Sequence, residues 1–87
     1  MSYRLSSDLR IIESDGQLIM MDVGQGKFFS CNRLGTLIVT YIRAGESLEM
    51  IVRKLEGRFS QSPDTINRDT RRFIEFLISK RLCHVAK

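Results

Sequence analysis

The chemically reactive side chains of this sequence are few, and their spacing matches no catalytic or metal-binding pattern. Cys83 and His84 are adjacent, but they lie at the carboxyl end, where a fraying chain cannot hold a nucleophile against its base. No third ligand follows at the spacing of a metal site. Cys31 and Cys83 belong to no CxxC pair, so we expect two reduced thiols rather than a disulfide or a zinc module.

A glycine-containing segment and the acidic residues give no stronger signal for chemistry. Gly24-Gln25-Gly26-Lys27 is too short for a phosphate-binding loop and leads into strand-like residues, so it predicts a turn. The acidic residues form no evident pair, and 87 residues leave little desolvated space in which to raise the pKa of a carboxyl group. We therefore expect a protein that is not an enzyme, with no catalytic residue, no metal and no cofactor.

The charge balance is moderately basic, with 14 Lys and Arg against 10 acidic residues and a net charge of +4. This balance favours an anionic partner such as nucleic acid or an acidic peptide. Arg68, Arg71 and Arg72 cluster early in a predicted helix that could enter a DNA groove. That helix has few of the Arg, Asn, Gln and Ser side chains on one exposed face that a helix needs to recognise DNA bases. A winged-helix DNA-binding transcriptional regulator is the alternative hypothesis.

The first half of the chain has the composition of strands. Residues 9–13 and 17–22 are rich in apolar side chains and flank Asp15-Gly16, a pair typical of two-residue hairpin turns. A second turn over residues 23–26 leads into Lys27-Phe28-Phe29-Ser30-Cys31, the third strand of a predicted antiparallel meander. Residues 1–7 are polar, and we expect them to be loosely ordered.

The second half has the period of helices. Apolar residues recur at helical spacing after Asn32 as far as Ala44, and again after Ser47. Ser62-Pro63-Asp64 predicts a third helix start, with a capping hydroxyl, a proline at the first position and an acid near the positive end of the dipole. These patterns predict one α+β domain over residues 1–87, winged-helix-like, with a three-stranded antiparallel sheet followed by three helices.

Two exposed features of this fold could serve binding. An edge strand of the meander offers unpaired backbone groups to a guest strand or to a second copy, which would give a homodimer. Phe76 lies to one side of the third helix's apolar stripe and either widens the core or lines a groove beside that edge. Of Phe28 and Phe29, only one can face the core. No apolar run is long enough to span a membrane and no signal peptide is evident, so we expect a cytoplasmic protein.

A short run of residues resembles a known family. Asp22 followed by residues 26–32 (GKFFSCN), then Gly35 and an apolar helix, resembles the PqqD-like peptide chaperones, also called recognition elements for ribosomally made, modified peptides. Residues 45–52 (GESLEMIV) are similar to the opening of the family's second helix. Residues 63–69, with Phe73, Leu77 and Leu82, are similar to its third helix and closing leucine. The sequence departs from the usual pattern at Arg33, Val39, Cys31 and Arg81, where proline, tryptophan, leucine and glycine are frequent.

The resemblance implies a stand-alone chaperone that captures the leader segment of a precursor peptide as an added antiparallel strand. The implied partners are the leader peptidase and cyclase of a lasso-peptide pathway, or a radical enzyme in other pathways. The expected peptide-binding residues are those of the edge strand and of the facing helix flank: Lys27, Phe28, Phe29, Ser30, Cys31, Asp69, Arg72, Phe73, Phe76 and Lys80.

Overall fold

The computed structural model describes residues 1–86 and contains two small antiparallel sheets and three helices. In chain order the elements are β1 (Ser2–Leu5), β2 (Leu9–Ser14), β3 (Gln17–Asp22), β4 (Lys27–Ser30), α1 (Arg33–Arg43), α2 (Leu48–Glu56), α3 (Pro63–Ser79) and β5 (Cys83–Ala86). The expected α+β class, with a three-stranded meander followed by three helices, is confirmed.

The meander is made of β2, β3 and β4 in that order, and each of its turns contains a glycine with a positive φ angle. Ser14 pairs with Gln17 across a two-residue turn in which Asp15 and Gly16 have φ values of 51° and 77°. Both are left-handed, as a type I′ hairpin turn requires. Gly26, with φ 66°, closes the second turn, and β4 begins at the next residue.

Each helix is capped by the polar residue that the sequence indicated, and begins at the next position. The side chain of Asn32 accepts a hydrogen bond from the Gly35 N–H, Ser47 accepts from Met50, and Ser62 accepts from Thr65. Each bond satisfies one of the backbone donors that a helix start leaves free. Pro63 follows the third cap, where its missing N–H costs no hydrogen bond.

The core lies where the helices meet the inner face of the meander. The most deeply buried side chains come from β3, all three helices and the segment after α3: Met20, Ile38, Val39, Ile51, Leu55, Ile66, Thr70, Leu77 and Leu82. In α3, the residues at positions 66, 70, 74 and 77 form this buried stripe. To one side of this stripe, Phe76 contacts Phe29 of β4, and to the other side Ile78 lies beside Cys83 of β5.

The second sheet pairs the two ends of the described chain and was not predicted. Residues 1–7 were expected to be loosely ordered and His84 to lie in a fraying tail, but Ser2 pairs with Ala86 and Arg4 with His84 in an antiparallel ribbon of β1 and β5. Tyr3 anchors this ribbon, with only 7% of its surface exposed. None of the helices over residues 1–86 is long and apolar enough to cross a membrane.

Candidate binding groove

The outer edge of β4 presents unpaired backbone groups. β4 is the last strand of the meander, and the Cys31 N–H donates to the carbonyl of Leu18 on β3. Along a β-strand, the backbone N–H and C=O groups of successive residues point alternately to one side and the other. Phe29, two residues before Cys31, therefore also points these groups toward β3. Phe28 and Ser30 point theirs away from β3. Phe28 and Ser30 are therefore the residues that can hydrogen-bond to an added strand.

An aromatic cluster lies beside this edge, on the inner side of the meander. The rings of Phe29 on β4 and Phe76 on α3 meet edge to face, with centroids 5.7 Å apart. Phe73, one turn earlier on α3, lies 6.4 Å from Phe76. We call Phe29, Phe73 and Phe76 the aromatic wall. Phe76 remains 38% exposed, so it is not a core residue. We call the surface between the open edge of β4 and the side of α3 that carries Phe76 the groove.

Four charged side chains, three of them cationic, belong to β4 or to the side of α3 that carries Phe76, and we call them the rim of the groove. Lys27, Arg72 and Lys80 are exposed and form no ion pair with any of residues 1–86. Asp69 is half-buried, and its carboxylate lies 3.3 Å from Nε of Arg68, which offsets its charge. The rim therefore has an excess of positive charge that suits an acidic guest.

A polar clasp joins the β3–β4 turn to the end of α3 and was not foreseen from the sequence. The carboxylate of buried Asp22 accepts hydrogen bonds from the backbone N–H and the side-chain amide of Gln25. The same Gln25 amide donates to the carbonyl of Lys80 at 3.4 Å. A depression of about 480 Å³ lies at this end, lined by Gln25, Lys27, Ser79, Lys80 and Arg81. The clasp fixes one end of the groove.

The opposite face of the meander carries a second apolar surface. Phe28 is 67% exposed and pairs with Met21, and Ile12 pairs with Ile19. Paired residues of an antiparallel sheet point to the same side, so these four lie together on the face away from the helices. We call Ile12, Ile19, Met21 and Phe28 the outer apolar face. The structure thus places Phe29 toward the core and Phe28 on the outer face.

The two thiols are buried and poorly disposed to react. Cys31 follows β4 and Cys83 begins β5, and both are free. Burial raises the pKa of the Cys31 thiol and raises the pKa of Cys83 to about 11, so both remain protonated at neutral pH. Over residues 1–86, no group of three or more His, Cys, Asp or Glu side chains is arranged to hold a metal ion.

The three arginines of α3 do not present one common surface. Arg68 hydrogen-bonds to Asp69, and Nε of Arg71 donates to the Asn67 side chain at 2.7 Å. Arg71 also lines a pocket shared with Tyr3 of β1, whereas Arg72 is exposed and, four residues before Phe76, lies on that side of α3. This dispersal differs from the continuous basic face expected of a helix that enters a DNA groove.

The structure brings three of the expected residues into contact beside the β4 edge, and the binding role of all ten stays a prediction. Phe29 and Phe76 are in contact, Phe73 supports them, and Phe28 and Ser30 present the edge, while buried Cys31 lies just past the strand. The Gln25 clasp had no recognisable sequence signal. The close packing of Gly35 against Phe73 had one sequence signal, a glycine inside a predicted helix, because glycine weakens a helix and often has a packing role there.

Comparison with known proteins agrees with this architecture. The family model for coenzyme PQQ synthesis protein D (PqqD) matches residues 17–82. The solved structure of TbiB1 in complex with the TbiA(beta) leader peptide superposes with a TM-score of 0.88 at 23% identity, covering 97% of this chain and 98% of that one.

A second solved structure has the same fold. Lasso peptide synthetase B1 complexed with the leader peptide superposes with a TM-score of 0.89 at 18% identity, covering 98% of this chain and all of that one (100%). No curated protein sequence matches the chain. Both sheets and all three helices thus lie within the region shared with these two structures.

Proposed function

We propose that this chain, which belongs to the PqqD family, is a non-catalytic chaperone that holds the leader segment of a precursor peptide as an added antiparallel strand on β4. The observation that carries the proposal is the open β4 edge beside the exposed ring of Phe76. The two solved structures of the same fold support it, because each was determined with a leader peptide.

The backbone of β4 sets the register of the proposed guest. Phe28 and Ser30 would exchange N–H and C=O hydrogen bonds with the guest, because theirs are the backbone groups that point away from β3. Alternate guest side chains would then face the aromatic wall beside Phe29, and the others would lie beside Phe28. Main-chain pairing provides affinity for any extended segment, and the groove selects among side chains.

The side chains of the groove favour an apolar anchor near acidic residues. Phe76 offers an exposed ring to the anchor, and the cationic rim of Lys27, Arg72 and Lys80 offers charge to carboxylates. Asp69 remains available to accept a hydrogen bond from a guest donor. Exposed ion pairs are worth only ~0.2–1 kcal/mol each, so the aromatic contact should dominate the affinity.

The outer apolar face provides a separate place for the enzymes that act on the peptide. A strand added to β4 extends this face without covering Ile12, Ile19 or Met21. We propose that the leader peptidase of a lasso-peptide pathway docks there, with the cyclase acting on the same tethered precursor. Lasso peptide synthetase B1, with which this chain shares its fold, is the support for that pathway class.

Fluorescence anisotropy tests the proposed function directly. The probe is a labelled synthetic leader of the precursor encoded beside this chain's gene, and a shuffled leader of the same composition is the control. We expect saturable binding of the native order alone, with amide-signal changes in NMR spectra confined to β4 and the groove side of α3. Equal binding of the shuffled leader, or signal changes at the β1–β5 ribbon alone, would contradict the proposal.

A further inference from the structure

A glycine in the first turn of α1 packs directly against the aromatic wall. Gly35 is buried, and a Cβ built on it would lie 3.0 Å from both Cε1 and Cζ of the Phe73 ring. Such a separation is tighter than ordinary carbon contacts of 3.5–4.0 Å (about the van der Waals optimum). Only a residue without a side chain lets α1 and this ring come together undistorted.

The backbone of Gly35 gives no other reason for a glycine. Its φ is not left-handed, unlike those of Gly16, Gly26 and Gly45. Inside a helix, glycine is about 0.5–1 kcal/mol less favourable than alanine. The close approach of the Phe73 ring is the feature of the structure that offsets this cost.

Two successive ring contacts connect Phe73 to the groove. Phe73 lies 6.4 Å from Phe76, which meets Phe29 on β4 at 5.7 Å. Packed interiors leave few voids, so a shift of one ring has to be taken up by its neighbours. The exposed face of Phe76 is the surface at which such a shift would reach a guest.

We propose that Gly35 is a positioning residue, which seats Phe73 and thereby sets the width of the groove at Phe76. The inference rests on the proposed function for its readout in affinity. Gly35 does not touch the guest and acts through the rings of Phe73 and Phe76. A side chain at position 35 therefore displaces the Phe73 ring and, through it, changes the anchors that the groove accepts. The same Cβ would lie 3.3 Å from Oδ1 of Asn32, the cap acceptor, and this smaller effect is common to both backgrounds of the cycle described below.

The test is a double-mutant cycle of Gly35→Ala and Phe73→Leu, measured with the labelled leader. Leucine lacks Cε1 and Cζ, the two atoms that a Cβ at position 35 would meet. We expect Gly35→Ala to weaken binding about five-fold in the wild-type background and by less than about two-fold in the Phe73→Leu background. Thermal unfolding should show the alanine variant to be folded.

A second readout does not need the guest. In the free protein, Gly35→Ala should shift the ring ¹H–¹³C signals of Phe73, Phe76 and Phe29, and the same change in the Phe73→Leu background should leave Phe76 and Phe29 unmoved. Equal losses of affinity in both backgrounds, or unmoved Phe76 signals, would overturn the role of Gly35. Failure of the wild-type protein to bind the leader would instead overturn the proposed function, since the ring signals would still report on Gly35.

Discussion

Replacing Phe76 with alanine should weaken binding of the leader markedly, and it should also destabilise the fold. The ring is 38% exposed, and this fraction is what a guest anchor can cover. For a Phe surface of roughly 200 Å², the exposed part is about 75 Å², worth about 2 kcal/mol when buried. The dissociation constant should therefore rise by about 20–30-fold.

Ile78 provides a matched control on the same helix. It is also 38% exposed, but it lies on the far flank of α3, lining the pockets next to β1 and β5. Ile78→Ala removes an apolar side chain of equal fractional exposure and should change the dissociation constant by less than about two-fold if the guest binds only at β4.

Anisotropy titrations of wild type, Phe76→Ala and Ile78→Ala with the labelled leader give the comparison, and urea unfolding gives the stability of each variant. Loss of the edge-to-face contact with Phe29 should cost the fold about 0.5–1.5 kcal/mol, in addition to up to about 3 kcal/mol for the roughly 125 Å² of Phe76 surface that is already buried. Similar affinities for all three proteins would refute the assignment of the groove. A larger loss for Ile78→Ala would place the guest on the opposite flank.

Three further outcomes are expected. Arg72→Glu and Lys80→Glu should each weaken leader binding by about two- to ten-fold at low salt and by less at high salt, because exposed ion pairs are weak and screened; titrations at two ionic strengths measure this. Gln25→Ala should lower the free energy of unfolding in urea by about 1 kcal/mol, through loss of its bonds to Asp22 and Lys80; an unchanged urea midpoint would contradict the clasp. The free energy of unfolding should fall as pH rises from 9 towards about 11, because folded Cys83 binds its proton more tightly than the unfolded thiol; Cys83→Ala should make this fall shallower, with the raised pKa values of Cys31 and Tyr3 leaving a residual slope, and an equally steep fall in that variant would exclude Cys83 as a cause.

The elements that could be read from the sequence are those fixed by local chemistry. The hairpin at Asp15-Gly16 and the caps at Asn32, Ser47 and Ser62 each depend on residues within four positions, and all are confirmed. The expected strand ends differ by one residue, at Ser14 and at Ser30. Local signals of this kind survive because their partners are close along the chain.

The features that escaped prediction depend on contacts between distant residues. The β1–β5 ribbon joins residues at opposite ends of the sequence. Each of its strands has only four residues, too few for an alternating apolar pattern that would predict a strand. The bond from Gln25 to Lys80 spans 55 positions. Whether Phe28 or Phe29 faces inward depends on the register of β4 against β3, which a run of two aromatics leaves open.

The shortness of β4 has a consequence for the precursor as a whole. Four residues at about 3.3 Å each span roughly 13 Å, so only a guest segment of similar length can be paired. The remainder of the precursor would stay a flexible tether, whose end-to-end distance grows only as about the square root of its length. For an enzyme docked on the outer apolar face, the reactive segment would then be present at about millimolar effective concentration if the tether is short. The number of residues between the paired segment and the reacting residue, rather than the strength of the groove, would set how often the two meet.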